Sequence, residues 1–158
     1  MNVALESPDQ PEVIALIEAL DAYQDSLYPP ESRHALDLSV LVQPHVLFAV
    51  VRDGQGTAVG CGAVVLHAPA GELKRMYVSP GARGCGVGRR LLARLEHEAL
   101  QRGCRVLWLE TGPYQPEALR LYAACGFVRR GPFGGYADDP LSVFMEKLLL
   151  TAPAAGPA

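Results

Sequence analysis

The chain has 158 residues, of which 49% are hydrophobic and 20% charged, and its formal net charge is −3. That length favours one domain with its own core, and the composition is that of an ordinary globular protein. The acidic balance excludes the basic footprint of a nucleic-acid binder, no apolar run reaches membrane-spanning length, and Met1 is not followed by a basic segment and an apolar core.

In chain order, Asn2 to Glu6 is the first strand candidate. Asp9 is placed to cap a helix, with Pro11 in the first turn and Glu12 three residues after the cap. Val13, Leu16, Ile17, Leu20 and Leu27 keep one apolar face until Pro29 and Pro30 stop the helix by Tyr28. A second, weaker helix is predicted over 32–42. Val46 to Arg52 and Thr57 to Leu66 are apolar and β-branched, and Asp53-Gly54-Gln55-Gly56 between them signals a hairpin. Ala68 to Gly71 turns the chain into a strand from Glu72. A long central helix follows over 88–102, stopped by Gly103. Arg105 to Glu110 is a buried-type strand. Pro116 to Ala124 is a short helix ended by Gly126, and 127–130 and 141–149 are the last two strand candidates. Residues 151–158 are rich in Ala, Pro and Gly and are expected to be a disordered tail after a domain spanning 1–150. Hairpins fill the first half and strands alternate with helices in the second, which predicts a mixed α/β sheet with helices on both faces.

Cys61, Cys85, Cys104 and Cys125 show no C-x-x-C spacing and read as small apolar residues in a reducing compartment. The four histidines form no pair at ligand spacing, so no metal is expected. A cytoplasmic location is the default.

The stretch from Glu72 to Leu95 carries the chemistry: ELKRMYV, SPGARGCGVG, then RRLLARL. A strand, a glycine loop and a helix start, in that order, make an anion cradle. Glycines let the backbone approach a ligand, and the first helical turn offers unpaired N–H groups at the positive end of the dipole. No Gly-Lys pair followed by Ser or Thr occurs, which excludes a Walker loop. In the dinucleotide pattern Gly84 and Gly86 fill the first two positions, but Arg89 stands at the third. Glu110, at the end of the next strand, keeps that reading open. The remaining match is R-x-x-G-x-G, Arg83 to Gly88.

That loop resembles the acyl-CoA loop of the GNAT N-acetyltransferase superfamily, and the element order resembles the GNAT fold from about residue 2 to 149. The resemblance implies a single-domain, mostly antiparallel mixed sheet of six to seven strands with about four helices. It implies acetyl-CoA as cofactor, carried by Met76, Tyr77 and Val78 and by Arg83, Gly84, Cys85, Gly86, Val87, Gly88 and Arg89. Gln115 stands where the family usually has Asn. Tyr122, in ALRLYAACGF, resembles the tyrosine that faces the acyl-CoA sulfur. Glu110, twelve residues before it, matches the base of the ribosomal-protein branch, and Glu72 matches the base of the histone-acetylating branch. Either glutamate, or both through water, could serve. The acceptor side is expected in the loops 25–33 and 131–140, with Tyr28, Glu31, Tyr136, Asp138 and Asp139, where acid beside aromatic suits a cationic amine.

The implied reaction is acetyl transfer to a primary amine of a small molecule or peptide by direct attack. A lysine-like amine is held protonated by about 4.6 kcal/mol at neutral pH and an α-amine by only about 1 kcal/mol, so a base matters more for the former. Backbone N–H groups at Met76 to Val78 could hold the oxyanion if the sheet splays there. The Tyr122 phenol would protonate the leaving thiolate. A non-catalytic acyl-CoA sensor is the alternative, and it would need none of Glu72, Glu110 and Tyr122. A homodimer is compatible with this size of domain, although no residue demands one.

Overall fold

A computed structural model describes residues 1–34 and 36–149. Seven strands form one sheet: β1 Asn2–Leu5, β2 Val46–Arg52, β3 Ala58–His67, β4 Ala70–Val78, β5 Val106–Thr111, β6 Val128–Arg130 and β7 Val143–Leu148. The helices among the described residues are α1 Pro11–Asp25, α2 Leu38–Leu41, α3 Val87–Gln101 and α4 Pro116–Ala124. The strand order is β1-β2-β3-β4-β5-β7-β6. Every neighbouring pair is antiparallel except β4 and β5. This is the mixed, mostly antiparallel sheet expected from the resemblance.

The sheet is buried on both faces, so β2 and β3 are apolar along almost their whole length. The period of two then sorts residues between faces. Leu47, Ala49 and Val51 join the α3 side, with Leu91, Leu92 and Leu95. Val46, Phe48 and Val50 join the α1 side, with Val13 and Leu16. Leu91, Leu92 and Leu95 are almost completely buried, and each contributes about 1.5–3 kcal/mol of apolar burial.

Two elements differ from expectation. The helix predicted over 32–42 is replaced by a tight turn at Pro30–Ser32 and the single turn of α2. Asp37 is extended (φ −70°, ψ 156°) and breaks the run, while the side chains of Ser32 and Arg33 are drawn off to Asp139 and to Asp21 and Asp25. The first helix ends at Asp25 and irregular turns carry the chain on to Tyr28. It starts after Gln10 rather than Asp9, and no side chain caps it: Gln10 Nε2 donates to Glu6 and to the Ser7 carbonyl instead. The expected tail, 151–158, lies outside the described residues.

Two irregularities in β4 shape the site. The pairing with β5 runs only from Ala70↔Val106 to Leu73↔Leu109. Beyond Leu73 the two strands part, and Lys74 to Val78 have no strand partner on that side among the described residues. On the other side the register with β3 slips between Cys61 and Ala63. Arg75 occupies the bulge at φ 59°, a region that L-residues seldom adopt.

Candidate active site

The gap between β4 and β5 opens into two cavities that meet. The larger holds about 390 Å³ and lies between the end of β4, the glycine loop and α4, within the usual size of a small-molecule site. Met76, Tyr77, Val78, Arg83, Gly84, Gly86, Val87, Gly88, Arg89 and Gln115 all line it. The loop turns through positive φ at Gly84 (80°) and again at Gly86 (77°), which is the residue before the first turn of α3. The first backbone bond of the helix runs from the Arg90 N–H to the Gly86 carbonyl (3.1 Å), and no side chain caps the end. The N–H groups of Val87, Gly88 and Arg89 therefore lack intrahelical acceptors at the positive end of a helix fifteen residues long. Arg83 stands over the Tyr77 ring (5.6 Å) and its Nε donates to the Val78 carbonyl (2.9 Å), which ties the loop to the strand end.

The smaller cavity, about 90 Å³, lies deeper between β4, β5 and the chain after α1. Tyr28, Glu110, Gln115 and Tyr122 line it, and Met76, Gln115 and Tyr122 also line the larger one. Tyr122 thus sits at the junction. Burial, with a small addition from Cys125, holds its phenol well above its ordinary value. Burial also pushes the Glu110 carboxyl up to about 7; Glu72 and Asp139 add to the shift, while the Ser142 hydroxyl and Lys74 oppose it. Tyr28 Oη accepts the Tyr114 N–H (3.0 Å) and the two rings stack at 5.5 Å. Gly112 makes room for this: a Cβ there would lie 1.9 Å from Tyr28 Oη.

The other predicted residues stand apart. The Glu72 carboxylate accepts from Tyr136 Oη (2.6 Å) and pairs with Lys74 Nζ (3.2 Å), and neither Glu72 nor Tyr136 lines either of these two cavities. Lys74 Nζ also meets Tyr136 Oη and the His34 carbonyl. Burial and the Glu72 carboxylate raise the Tyr136 phenol. Glu31 and Asp138 are exposed, away from either cavity. Asp139 accepts from Ser32 Oγ (2.8 Å) and the Leu141 N–H (2.8 Å), joining the two loops rather than facing the cavity. Cys85 is exposed and its side chain is no part of the cleft lining.

Sequence reasoning passed over Arg33, Lys74 and Arg75, all of which line the smaller cavity. Arg75 is 6% exposed, and its Nη2 donates to Asp21 (2.7 Å) and to the Ile17 carbonyl (3.3 Å). The only signal for it was a charge in the middle of an apolar strand.

Such a splayed sheet with an uncapped glycine-loop helix beside a buried phenol and carboxyl is the architecture of an acyl-CoA-dependent transferase. The chain belongs to the acetyltransferase (GNAT) family, whose pattern matches residues 13–127. It is 52% identical over 151 residues to an IAA acetyltransferase of Azospirillum brasilense, covering 94% of this chain and 98% of that one. It is 36% identical over 153 residues to the uncharacterised N-acetyltransferase YsnE of Bacillus subtilis, covering 94% and 100%. Among crystal structures, a candidate acyl-CoA N-acyltransferase from Klebsiella pneumoniae superposes with a TM-score of 0.81 at 44% identity, covering 94% and 97% of the two chains. The protein is an N-acetyltransferase that uses acetyl-CoA.

Proposed function

We propose that this enzyme moves the acetyl group from acetyl-CoA to a primary amine by direct attack, with both substrates bound at once. The single observation that carries the reading is the junction: Tyr122 and Gln115 line both cavities, so a thioester in the larger and an amine in the smaller meet there. The N–H groups at the start of α3 and the charge of Arg83 and Arg89 suit the coenzyme's diphosphate. The unpaired edge of β4 at Met76 to Val78 suits the oxyanion.

Glu110 is the base in this reading, directly or through one water. It faces the acceptor cavity, whereas Glu72 is engaged with Lys74 and Tyr136. Its carboxyl, at about 7, is matched to taking a proton from an ammonium near neutral pH. Tyr122 acts on the sulfur. A phenol raised by burial stays protonated, and full transfer to a thiolate near pKa 8.5 would run uphill. Its part is to donate a hydrogen bond to the sulfur as the C–S bond breaks, with the proton following from the nitrogen that has attacked. No metal or covalent enzyme intermediate enters. A cytoplasmic site of action belongs to the same proposal.

Free-thiol release with acetyl-CoA and a panel of primary amines tests the reading. Tyr122→Phe should lower kcat about 100-fold and leave the acetyl-CoA KM within about two-fold. Unchanged turnover would remove Tyr122 from the chemistry.

A further inference from the structure

Three cations, Arg33, Lys74 and Arg75, line the acceptor cavity against one carboxyl, Glu110. Arg33 and Arg75 enter it with side chains only 14% and 3% exposed. The acids that pair with them, Asp21 and Asp25, are 41% and 67% exposed and do not line it. The carboxylates therefore face water, which screens them, while the guanidiniums face the less polar interior, where charge acts more strongly. Lys74 differs, because its partner Glu72 is as buried as it is.

Donor capacity points the same way. A guanidinium carries five N–H donors. Arg75 sends its hydrogen bonds from Nη2, and its buried Nε meets no acceptor among the described residues. A buried donor without an acceptor costs free energy that an anion entering the cavity would recover. The volume, about 90 Å³, holds a handful of water-sized groups at roughly 10–15 Å³ each. That is room for the polar end of a small molecule.

We propose that the acceptor is a small aminocarboxylate, its amine toward Glu110 and its carboxylate held by Arg33 and Arg75. This rests on the acetyltransferase reading and narrows it: free amino-acid-like acceptors are favoured over simple polyamines and over the amino terminus of a peptide, whose nearest carbonyl is an amide. Fork-shaped guanidiniums pair with carboxylates through two parallel hydrogen bonds. The charge they supply also replaces the cationic-acceptor expectation drawn from Glu31 and Asp138, which lie outside the cavity.

The test uses the full chain, acetyl-CoA and thiol release with matched triplets: each common amino acid, its carboxamide and its decarboxylated amine. For the best triplet the amino acid should show kcat/KM at least ten-fold above both relatives. The amino-free carboxylate of the same skeleton should inhibit competitively against the acceptor. Arg33→Gln, in protein with an unchanged melting profile, should raise the KM for the amino acid ten-fold or more and the KM for its decarboxylated amine by a much smaller factor, so that the preference between the two collapses. If amines and carboxamides are acetylated as well as the acids, or the amino-free carboxylate does not compete, the proposal is overturned while the transferase reading stands. If acetyl-CoA binds and nothing in the panel is acetylated, both fall.

Discussion

A carboxyl acts as a base near neutral pH only if its environment lifts it without removing it from the substrate, and at Glu110 burial at the open end of β5 does this. The pH dependence follows. The base form must be ionised, so kcat/KM should fall as pH drops through about 7, with a limiting slope of one, and Glu110→Gln should flatten that limb while lowering the rate at pH 8. A limb that survives the substitution would belong to another group. Stability carries the opposite sign. The folded-state carboxyl titrates near 7 against an ordinary 4.5, so the folded protein binds more protons than the unfolded chain between those values and loses stability as pH rises through them. Glu110→Gln should therefore be more stable than the parent at pH 8, by on the order of 3 kcal/mol, and equal to it at pH 4. Denaturant midpoints at the two pH values measure this; a gap independent of pH would mean that Glu110 is not lifted. The sequence nominates Glu110 and Tyr122 because their spacing resembles a known segment. The preference for Glu110 over Glu72 proposed above has no such signal, since it rests on Tyr136, 64 residues from Glu72, closing over the other carboxylate.

At the scale of elements, the glycine loop and the start of α3 act as one unit. Gly86 stands at φ 77° immediately before the helix, where an L-residue is strained by about 1–2 kcal/mol and a β-branched one by more. Gly86→Val should tilt the first turn and withdraw its N–H groups. Titration should show acetyl-CoA binding weakened ten-fold or more, with kcat at saturating coenzyme within a few-fold of the parent. Equal affinity would mean that the backbone there does not hold the coenzyme. This unit was readable because glycine and leucine spacing report backbone conformation locally. The strands β2 and β3 were readable for a related reason: burial on both faces leaves a continuous apolar run. The segment after α1 was not. Leu38, Leu41 and Val42 stand at helical spacing, but Asp37 is extended, and the contacts of Ser32 and Arg33 with distant residues decide the path. The β4 bulge was hidden too, because Arg75 takes a conformation that glycine usually marks and is held in it by Asp21 of α1.

For the molecule as a whole, the parting of β4 from β5 is both a site and a weakness. The two halves of the sheet share four paired positions, 70–73 with 106–109, and α3 and α4 bridge the rest from one face. Coenzyme seated in the cleft would touch β4, the glycine loop and α4 together, reinforcing a joint that Arg83 alone spans weakly, to the Val78 carbonyl and to Glu117 of α4 (3.9 Å). A ligand that binds only the folded state stabilises it by mass action, about 2.7 kcal/mol at one hundred times Kd, equivalent to roughly 5–10 °C in Tm for a domain of this size. Acetyl-CoA should therefore raise Tm by that amount. Hydrogen exchange should slow most at Lys74 to Val78 and at the first turn of α3, and much less in β1 and β2 on the far side of the sheet. Arg83→Ala should reduce the rise by removing the contact between the loop and the Val78 carbonyl. A rise in Tm with protection spread evenly over all seven strands would show that the coenzyme stabilises the fold without closing the gap, and the cleft would then be an open groove rather than a joint between two halves.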